Sequence, residues 1–312
     1  MELRDLHYFE TIAKTGHLGR AAKELCRSAP ALTKSIHRLE QAVGVRLFER
    51  VGRGLRLTLE GHALLVRARH LRQVVDEAVR EMGDLSGGLA GCVRLGIVPT
   101  MAQYLLPAAC RVLLAQVPSV TLETTIGMSP VLYQSLKARE IDLAVAVVPL
   151  ASSELESFPI IEDEVVVVAG SSHEIFRKRA KMQDLTAYRW VLPAASYEAE
   201  LRLWLERAFE VAGLPTPRAQ IQTNSITLLP RLIDETGLLS FVSRRNLGAG
   251  RIGAPLKEVR LKETTMRRQF GVVHRKDAYL PPAAIRLKTL LCTKGKRLFL
   301  GKEGSPPDEG VL

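Results

Sequence analysis

The chain has 312 residues, of which 46% are hydrophobic, and a formal net charge of +11 with a sequence pI of about 9.7. This length favours two or three folded units, and the hydrophobic content excludes a chain that is mainly disordered. The basic charge is typical of a protein with a polyanionic partner. Residues 1–58 contain 11 Lys and Arg against 6 Asp and Glu, a net charge of +5, and the other +6 lies beyond them. Charge alone therefore does not locate the surface that binds this partner.

The cysteines and the N-terminal segment bear on the cellular compartment. The four cysteines, at positions 26, 92, 110 and 292, form no C-x-x-C pair, so neither a zinc ribbon nor a disulfide framework is predicted. Scattered thiols are typical of a reducing compartment. The first residues, MELRDLHYFE, are charged and lack the apolar region of a signal peptide, and the longest apolar runs are too short to cross a membrane. We expect a soluble, cytoplasmic protein.

Residues 1–58 begin with three predicted short helices. In the first, apolar side chains recur at helical spacing and stop at Gly16, a favourable helix C-cap. A second short helix is predicted over residues 18–25. The third begins at Ser28, whose hydroxyl can cap the helix, and it has Pro30 in its first turn, where the missing N–H costs no hydrogen bond.

Residues 16–39 have the spacing of a helix-turn-helix, whose second helix can lie in the major groove of DNA. A generic helical bundle is the alternative, but it does not require polar and basic side chains on the exposed side of that helix. The side chains there are of types that bind phosphates and base edges: Thr33, Lys34, His37 and Arg38. Residues 46–58 predict a basic hairpin with a tight turn at residues 52–54, so the whole domain is predicted to be a winged helix-turn-helix.

Residues 59–89 predict one long amphipathic helix. Its apolar residues alternate four and three apart: Leu64, Ala68, Leu71, Val75, Ala78, Met82, Leu85 and Leu89. One interpretation is that this narrow seam pairs with the same helix of a second copy and forms a homodimer. The other is that the helix packs on its own domain. The charged residues that flank the seam favour the dimer.

From Cys92 onward, strand-like and helix-like segments alternate, which predicts a mostly parallel α/β sheet. Strands are predicted at residues 93–98, 120–126, 141–148, 165–169, 189–192, 219–223, 238–242 and 270–274. Helices are predicted at residues 102–116, 129–140, 198–212, 226–234 and 282–291. Two hundred residues are many for one such sheet, so residues 90–300 are expected to form two subdomains with a cleft between them. Subdomain I comprises about 90–162 and 269–300, subdomain II comprises about 163–268, and residues 301–312 are predicted to be a disordered tail.

The cleft is expected to bind a small molecule. In α/β sheets, ligands bind beyond the carboxyl ends of strands, often at helix N-termini. The candidate residues at such positions are Thr100, Met101, Ser129, Val148, Thr223 and Asn224. The hydroxyl and amide groups among them suit a carboxylate or a polyol. Helix N-capping is the alternative role for the polar members, because Ser, Thr and Asn are common caps.

Signals of an enzyme are weak. Residues 248–253 fit G-x-G-x-x-G, but Ala254 and Pro255 follow where a phosphate-binding helix would begin. The seven histidines show no H-E-x-x-H spacing, and there is no G-x-S-x-G, so we predict no catalytic residues, no metal and no cofactor. Three functions stay open from the residues themselves: a ligand-responsive transcription regulator, a small-molecule enzyme with a nucleic-acid-binding appendage, and a nucleoid protein that binds DNA without an effector.

Several segments carry a family resemblance that spans roughly residues 3–295. LHYFETIAKTGHLGRAAKEL, SAPALTKSIHRLE and GVRLFERVGRGLRLT look like the N-terminal domain of the LysR-type transcriptional regulators, and VRLGIVPTMAQYLLP, LKAREIDLAVA and VVHRKDAYLPPAA resemble their effector domain. The resemblance implies a type 2 periplasmic-binding-protein-like effector domain that binds a small-molecule inducer. It also implies a helical dimerisation linker, a homotetramer on double-stranded promoter DNA, contact with RNA polymerase, and a location in the cytoplasm with the nucleoid.

The same resemblance suggests individual roles at the DNA. Ala29, Pro30, Thr33 and Lys34 would face the major groove, and Arg53 would lie in the wing beside the minor groove. With the neighbouring Arg27 and Ser28, and with His37 and Arg38, they form the candidate DNA-binding set. The family commonly has a glutamine at the position of Ala29 and an apolar residue at that of Arg27. Ala29 lacks the amide that could recognise adenine, and Arg27 could add a phosphate contact or a salt bridge.

Overall fold

A computed structural model of the chain describes residues 1–52, 54–87, 91–149, 152–194, 199–247, 255–276 and 278–301. These residues form two compact units, Met1–Gly88 with Lys137–Glu140, and Leu89–Leu136 with Ile141–Leu312. Several predictions lie outside the described residues: the wing residue Arg53, the end of the seam at Leu89, the glycine motif at 248–253 and the tail at 302–312. The side chain of Leu85 is also outside them.

The first unit is the predicted winged helix-turn-helix followed by one long helix. Its elements are α1 (Leu3–Thr15), α2 (Leu18–Glu24), α3 (Ala29–Val43), β1 (Phe48–Val51), β2 (Gly54–Leu57) and α4 (Leu59–Gly87). The predicted caps are present. Gly16 ends α1 at φ 63° and Gly44 ends α3 at φ 73°, both in the left-handed region that favours glycine. Strands β1 and β2 pair as an antiparallel hairpin.

The first turns of α4 pack on the winged domain itself. A Cβ atom at Gly61 would lie 2.2 Å from the carbonyl oxygen of Leu47, so only glycine permits this approach of helix to strand. Ala68 is fully buried in the core of this unit and Leu64 is half-buried against it. The first two residues of the seam therefore pack on their own domain. Farther along, Arg72 of α4 forms an ion pair with the buried Glu10 of α1 at 3.0 Å.

The second unit contains the remaining elements. Its strands are β3 (Cys92–Ile97), β4 (Thr121–Ile126), β5 (Leu143–Val147), β6 (Leu155–Gly170), β7 (Trp190–Leu192), β8 (Ala219–Gln222), β9 (Ser240–Ser243), β10 (Leu256–Glu258) and β11 (Thr265–Arg275). Its α-helices are α5 (Pro99–Tyr104), α6 (Leu106–Gln116), α7 (Ser129–Lys137), α8 (Ala199–Val211), α9 (Leu229–Thr236) and α10 (Pro282–Leu300). Short 3₁₀ helices lie at Glu174–Arg177, Met182–Ala187, Arg244–Leu247 and Lys262–Thr264. None of the described helices combines the length and apolar content needed to cross a bilayer.

The main sheet of the second unit is mixed, so the prediction of a mostly parallel sheet is wrong. Strand β3 is parallel to β4 and β5, but β11 is antiparallel to both β5 and β6, and β6 is antiparallel to β9 and β10. The cause is β6, which is 16 residues long and pairs with β11 along the whole length of β11. Only its apolar end, residues 165–169, was predicted, because charged residues and Pro159 interrupt the apolar pattern before it.

One predicted helix is two helices in the structure. The segment 102–116 is divided between α5 and α6 at Leu105, and Pro107 lies in the first turn of α6. Proline lacks the N–H of a helix interior and its ring clashes with the preceding turn, so the chain restarts a helix there. The break leaves α5 as a single short helix directly after β3.

The apolar side chains of the second unit gather in separate clusters. The largest includes β3, β5, α6 and α10, and another includes Trp190, Leu205 and Phe209. Strands β6 and β11 contribute side chains to both clusters. The two subdomains are therefore joined by this antiparallel strand pair, which runs from one to the other. The subdomain boundaries near residues 162 and 268 stay a prediction.

Candidate DNA-binding surface and ligand cleft

Helix α3 has one buried and one exposed face. Leu32, Ser35 and Leu39 are buried in the unit, whereas the exposed side presents the candidate residues Ser28, Pro30, Thr33, Lys34 and His37. The hydroxyl of Ser28 accepts a hydrogen bond from the N–H of Ala31 at 3.3 Å, which confirms its role as N-cap. The hydroxyl of Thr33 donates to the carbonyl of Ala29 at 3.0 Å. The cap and the core contacts therefore fix the helix while its polar face stays open to a partner.

Two candidates beside this face differ in exposure. Arg27 is exposed and Ala29 is half-buried. Arg27 follows Cys26, which has a positive φ of 51°, so the turn between α2 and α3 directs the chain sharply into α3. In the part of the chain that the structure describes, neither Arg27 nor Lys34 forms an ion pair.

Arg38 has a structural role that the sequence analysis did not predict. Its Nε atom donates to Asp5 of α1 at 3.1 Å and its Nη2 atom also binds this carboxylate, while the hydroxyl of Ser35 donates to it at 2.7 Å. Asp5 is fully buried. Burial alone would raise the pKa of Asp5, but the hydrogen bonds from Arg38 and Ser35 outweigh it and lower the pKa to about 2. The guanidinium of Arg38 therefore holds α3 against α1, while its side chain stays 41% exposed and its assignment as a DNA contact stays a prediction.

Beyond Arg72, α4 has an exposed apolar face. The seam residues Leu71, Val75, Ala78 and Met82 are all exposed, and the apolar Val74 and Val79 lie beside them. This apolar face is wider than the seam of a coiled coil, which has two apolar positions in each heptad. It has the width of the apolar stripe by which an amphipathic helix packs against another surface. Contiguous exposed apolar side chains on one helix are typical of a surface that binds another protein surface.

A cavity of about 510 Å³ lies between the two subdomains. Four of the predicted residues line it, namely Thr100, Ser129, Thr223 and Asn224. The other two do not: Met101 is fully buried in the core of subdomain I, and Val148 donates its N–H to the carbonyl of Gln269 while its neighbour Val147 lines the cavity. Neither residue is therefore part of the cavity lining.

The two hydroxyls on subdomain I have different surroundings. Helix α5 begins at Pro99 without a side-chain cap, and among the described residues no side-chain hydrogen bond involves Thr100, so capping is not its role. The hydroxyl of Ser129 accepts the N–H of Val147 at 3.1 Å and thus ties the start of α7 to the end of β5. Tyr133 lies next to it. Burial, together with the charge of Glu200, raises the pKa of Tyr133 to about 12 even though its hydrogen bond with Ser129 acts to lower it.

The two predicted residues on subdomain II form a turn rather than a helix cap. Helix α9 begins at Leu229, three residues later than predicted. The hydroxyl of Thr223 accepts the N–H of Ser225 at 3.2 Å, and the side-chain oxygen of Asn224 accepts the N–H of Ala194 at 3.2 Å. These bonds fix the loop that borders the cavity.

Several cavity residues were missed by the sequence analysis. Arg268 of β11 donates to Asp163 of β6 through Nε at 2.9 Å and approaches it through Nη2 at 2.8 Å, and Asp163 also accepts the hydroxyl of Ser243 at 2.6 Å. Asn246 is buried, and its side-chain oxygen has no hydrogen-bond partner among the described residues. No local pattern marks these positions, because they converge only through the pairing of distant strands.

A winged helix-turn-helix with an open polar face on α3, followed by an α/β domain with a cleft, is an architecture of DNA-binding transcription regulators. Comparison with protein families agrees. Residues 3–62 match the model described as bacterial regulatory helix-turn-helix protein, lysR family, and residues 86–293 match the LysR substrate binding domain. The chain therefore belongs to the LysR family of DNA-binding transcriptional regulators, and it is not an enzyme.

The chain is similar to relatives along most of its length. It is 28% identical over 293 residues to the transcriptional regulator CbbR of Xanthobacter flavus, covering 94% of this chain and 88% of that protein. It is 26% identical to GalR of Pseudomonas putida over 288 residues, covering 92% and 72%. Among solved structures, full-length CbnR complexed with its target DNA covers 92% of this chain and 97% of its own, with a TM-score of 0.68 at 23% identity. A full-length OxyR variant from Pseudomonas aeruginosa gives a TM-score of 0.63 at 20% identity, covering 94% and 96%. At such identities the structures show the shared fold.

Proposed function

We propose that this regulator binds promoter DNA as a homodimer or homotetramer and that a small-molecule inducer bound in the cleft changes this binding. The observation that supports it best is the cavity between the subdomains, which has the hydroxyl of Thr100 in its lining and lies in a part of the chain that matches a substrate-binding domain. A ligand can shift a regulator only through a difference in its affinity for two conformations. Closure of such a cleft supplies that difference.

At the DNA, the exposed face of α3 is proposed to enter the major groove. Lys34 and Arg27 are suited to phosphates, whereas Thr33 and His37 can reach base edges. Ser28 and Pro30 shape the start of the helix, and Ala29 offers only a methyl group, which suits the methyl of thymine. Arg53, which the sequence pattern assigns to the wing, is proposed to reach the minor groove.

The exposed face of α4 is proposed to be the dimer interface. Leu71, Val75, Ala78 and Met82 would bury against the same residues of a second copy, with Leu85 added from the sequence pattern. A two-fold dimer places two α3 helices on half-sites about one helical turn of DNA apart. Assembly to a tetramer and contact with RNA polymerase are further proposals that follow from the family.

Binding sites selected from a random duplex library by the full-length protein would test this function. We expect a dyad-symmetric consensus and an affinity that falls steeply with salt. Small molecules that raise the melting temperature of the protein would then be added to the selected DNA, and fluorescence anisotropy would measure the effect on affinity. DNA binding without sequence preference, or hits that leave the DNA affinity unchanged, would contradict the proposal.

The variant Thr100→Val tests the cleft directly, because its hydroxyl is free to bind a ligand. We expect basal DNA binding to stay unchanged and the affinity for a hit to fall about five- to a hundredfold. The matched control is Thr186→Val, whose hydroxyl is exposed on the 3₁₀ helix Met182–Ala187, outside the cavity lining. An unchanged affinity in Thr100→Val would place the ligand elsewhere.

A further inference from the structure

Glu40 lies where a carboxylate is unfavourable for two reasons. It is in the C-terminal part of α3, and the last turn of this helix contains no basic residue. The C-terminal end of a helix carries a partial negative charge, which repels an acid. The phosphates of a DNA molecule bound to this domain would repel it as well. An acidic side chain at this position is therefore expected to make a specific contact that offsets both costs.

The contact is with the backbone of the wing, the hairpin formed by β1 and β2. The Oε1 atom of Glu40 accepts the N–H of Leu47 at 2.8 Å, and the N–H of Phe48 donates to the same oxygen at 3.4 Å. Leu47 is only 1% exposed, so water has little access to its N–H. A buried N–H without an acceptor is unfavourable, and hydrogen bonds to a carboxylate are stronger than those to neutral acceptors. Glu40 therefore holds the start of β1 against α3.

Leu47 is also held on its other side. Its carbonyl accepts the N–H of Thr58 at 3.0 Å, and the hydroxyl of Thr58 donates to the carbonyl of Arg46 at 2.8 Å. Thr58 directly precedes α4. The first strand of the wing is thus fixed between α3, through the side chain of Glu40, and the segment that leads into α4.

The second strand of the wing is attached through its backbone. The N–H of Leu55 donates to the carbonyl of Gly16, in the turn between α1 and α2, at 2.8 Å. A Cβ atom at Gly54 would lie 3.0 Å from that carbonyl oxygen, so β2 passes close to the turn. Among the described residues of α3 and the wing, the side-chain hydrogen bonds that join the two elements both come from Glu40. Glu40 is therefore the position at which a side-chain substitution can loosen the wing from α3.

We infer that Glu40 is a positioning residue for DNA binding, whose carboxylate fixes the wing relative to α3 so that both elements reach their grooves in the same complex. The inference rests on the proposed function, which places α3 in the major groove and the wing beside the minor groove. Glu40 itself need not touch DNA, because it acts through the backbone of β1. Without its carboxylate, the N–H of Leu47 loses its acceptor and the base of the wing is free to shift.

Two substitutions that remove the same charge separate the hydrogen bond from electrostatics. Glu40→Gln keeps an oxygen that can accept the two N–H groups, whereas Glu40→Ala keeps none. On the DNA duplex selected by the wild type, we expect Glu40→Ala to bind about five- to a hundredfold more weakly than Glu40→Gln, the effect of one unpaired buried N–H. Fluorescence anisotropy would measure both affinities at a temperature at which the helical circular dichroism signal shows that each variant is folded. Equal affinities for the two variants would overturn the inference.

Footprints of the two grooves distinguish a displaced wing from a general loss of binding. Dimethyl sulfate modifies N7 of guanine, which lies in the major groove, whereas hydroxyl radicals attack the deoxyribose from the minor groove. At protein concentrations that saturate the duplex, Glu40→Ala should keep the major-groove protection and lose the minor-groove protection beside it. Glu40→Gln should keep both. Loss of both protections in Glu40→Ala, or retention of both, would overturn the inference.

A shorter carboxylate provides the test if Glu40→Ala does not fold. Glu40→Asp keeps the charge, but its side chain is one methylene shorter and its carboxylate is withdrawn from the N–H of Leu47. We expect it to lose the minor-groove protection in the same way. Minor-groove protection equal to that of the wild type in a folded Glu40→Asp would overturn the inference.

The footprint of the wild type separates this inference from the proposed function. Minor-groove protection that is present in the wild type and persists in Glu40→Ala would contradict the inference alone. An absence of minor-groove protection in the wild type would contradict the proposed contact of the wing and the inference with it. The proposed contact of α3 is tested independently by the protection of guanine N7.

Discussion

Replacement of Asp5 by Asn should destabilise the winged domain in a manner that depends on pH. The pKa of Asp5 is lowered to about 2 from an ordinary value of 3.8, since the hydrogen bonds from Arg38 and Ser35 outweigh the effect of burial. A shift of this size corresponds to about 2 kcal/mol of stability at neutral pH. Because the pKa in the folded state lies below that in the unfolded chain, this contribution is complete above about pH 5 and is lost as the pH falls towards 2. We expect the difference between wild type and Asp5→Asn to be at least about 2 kcal/mol at pH 7 and about half as large near pH 3.

The positions of the tryptophans make the assay specific to one unit. Trp190 and Trp204, the two tryptophans of the chain, both lie in the second unit, so their fluorescence reports its unfolding alone. The helical circular dichroism signal includes α1 to α4 as well. In urea titrations, Asp5→Asn should shift the helical transition to lower urea and leave the tryptophan transition in place.

A matched control uses an exposed ion pair of the same domain. Lys14 and Glu24 lie 2.9 Å apart with both side chains exposed, and pairs of this kind contribute about 0–1 kcal/mol. Glu24→Gln should therefore have little effect at any pH. The reasoning would be refuted if Asp5→Asn were no less stable than Glu24→Gln at pH 7, or if its deficit were the same at pH 3 as at pH 7.

Three further predictions concern the other surfaces. Lys34→Ala should weaken DNA binding and reduce the slope of log affinity against log salt concentration by about one, while the helical circular dichroism signal stays that of the wild type. An unchanged slope would show that Lys34 does not contact DNA. Val75→Glu should dissociate the dimer in sedimentation, because a charge would be buried in the proposed interface, and an intact dimer would place the interface elsewhere. Gly61→Ala should destabilise the winged domain by more than about 2 kcal/mol, because the added Cβ would overlap the carbonyl of Leu47. The control is Gly83→Ala, whose Cβ would have no atom within 4 Å and which should stabilise α4 by about 0.5–1 kcal/mol. Equal urea midpoints for the two glycine variants would contradict this.

The winged domain could be predicted well because its signals are local. The caps at Gly16, Ser28 and Gly44 and the spacing of apolar residues all lie within a few positions of the feature that they specify. The contact between Arg38 and Asp5 was not predicted, because the two residues are 33 positions apart and Asp5 looks like any acidic residue in the first turn of a helix.

The cleft could be predicted only in part. Thr100 and Ser129 follow strands of a local strand–helix pattern, so the rule about strand ends located them. Arg268 and Asp163 are 105 positions apart in the sequence and meet because β11 pairs with β6. A periodic pattern within one strand does not indicate which residues of a distant strand will lie beside it. Asn246 lies in a short 3₁₀ turn, where a polar residue is ordinary, and its burial depends on packing that the sequence does not display.

Because the first half of α4 is packed on the winged domain, α4 and α3 are expected to move together. The close approach of Gly61 to Leu47 and the ion pair between Arg72 and Glu10 hold the first half of α4 in place. A rotation of α4 about its axis should therefore also rotate α1 and α3. One residue inserted after Arg72 would turn the exposed apolar face by about 100° relative to α3, and seven residues would restore the phase while adding about 10 Å. In a dimer joined along that face, the separation of the two DNA half-sites is thus set by helical geometry. Spacing variants within α4 are therefore expected to change the preferred operator length in heptad steps, with intermediate insertions binding poorly to every spacing.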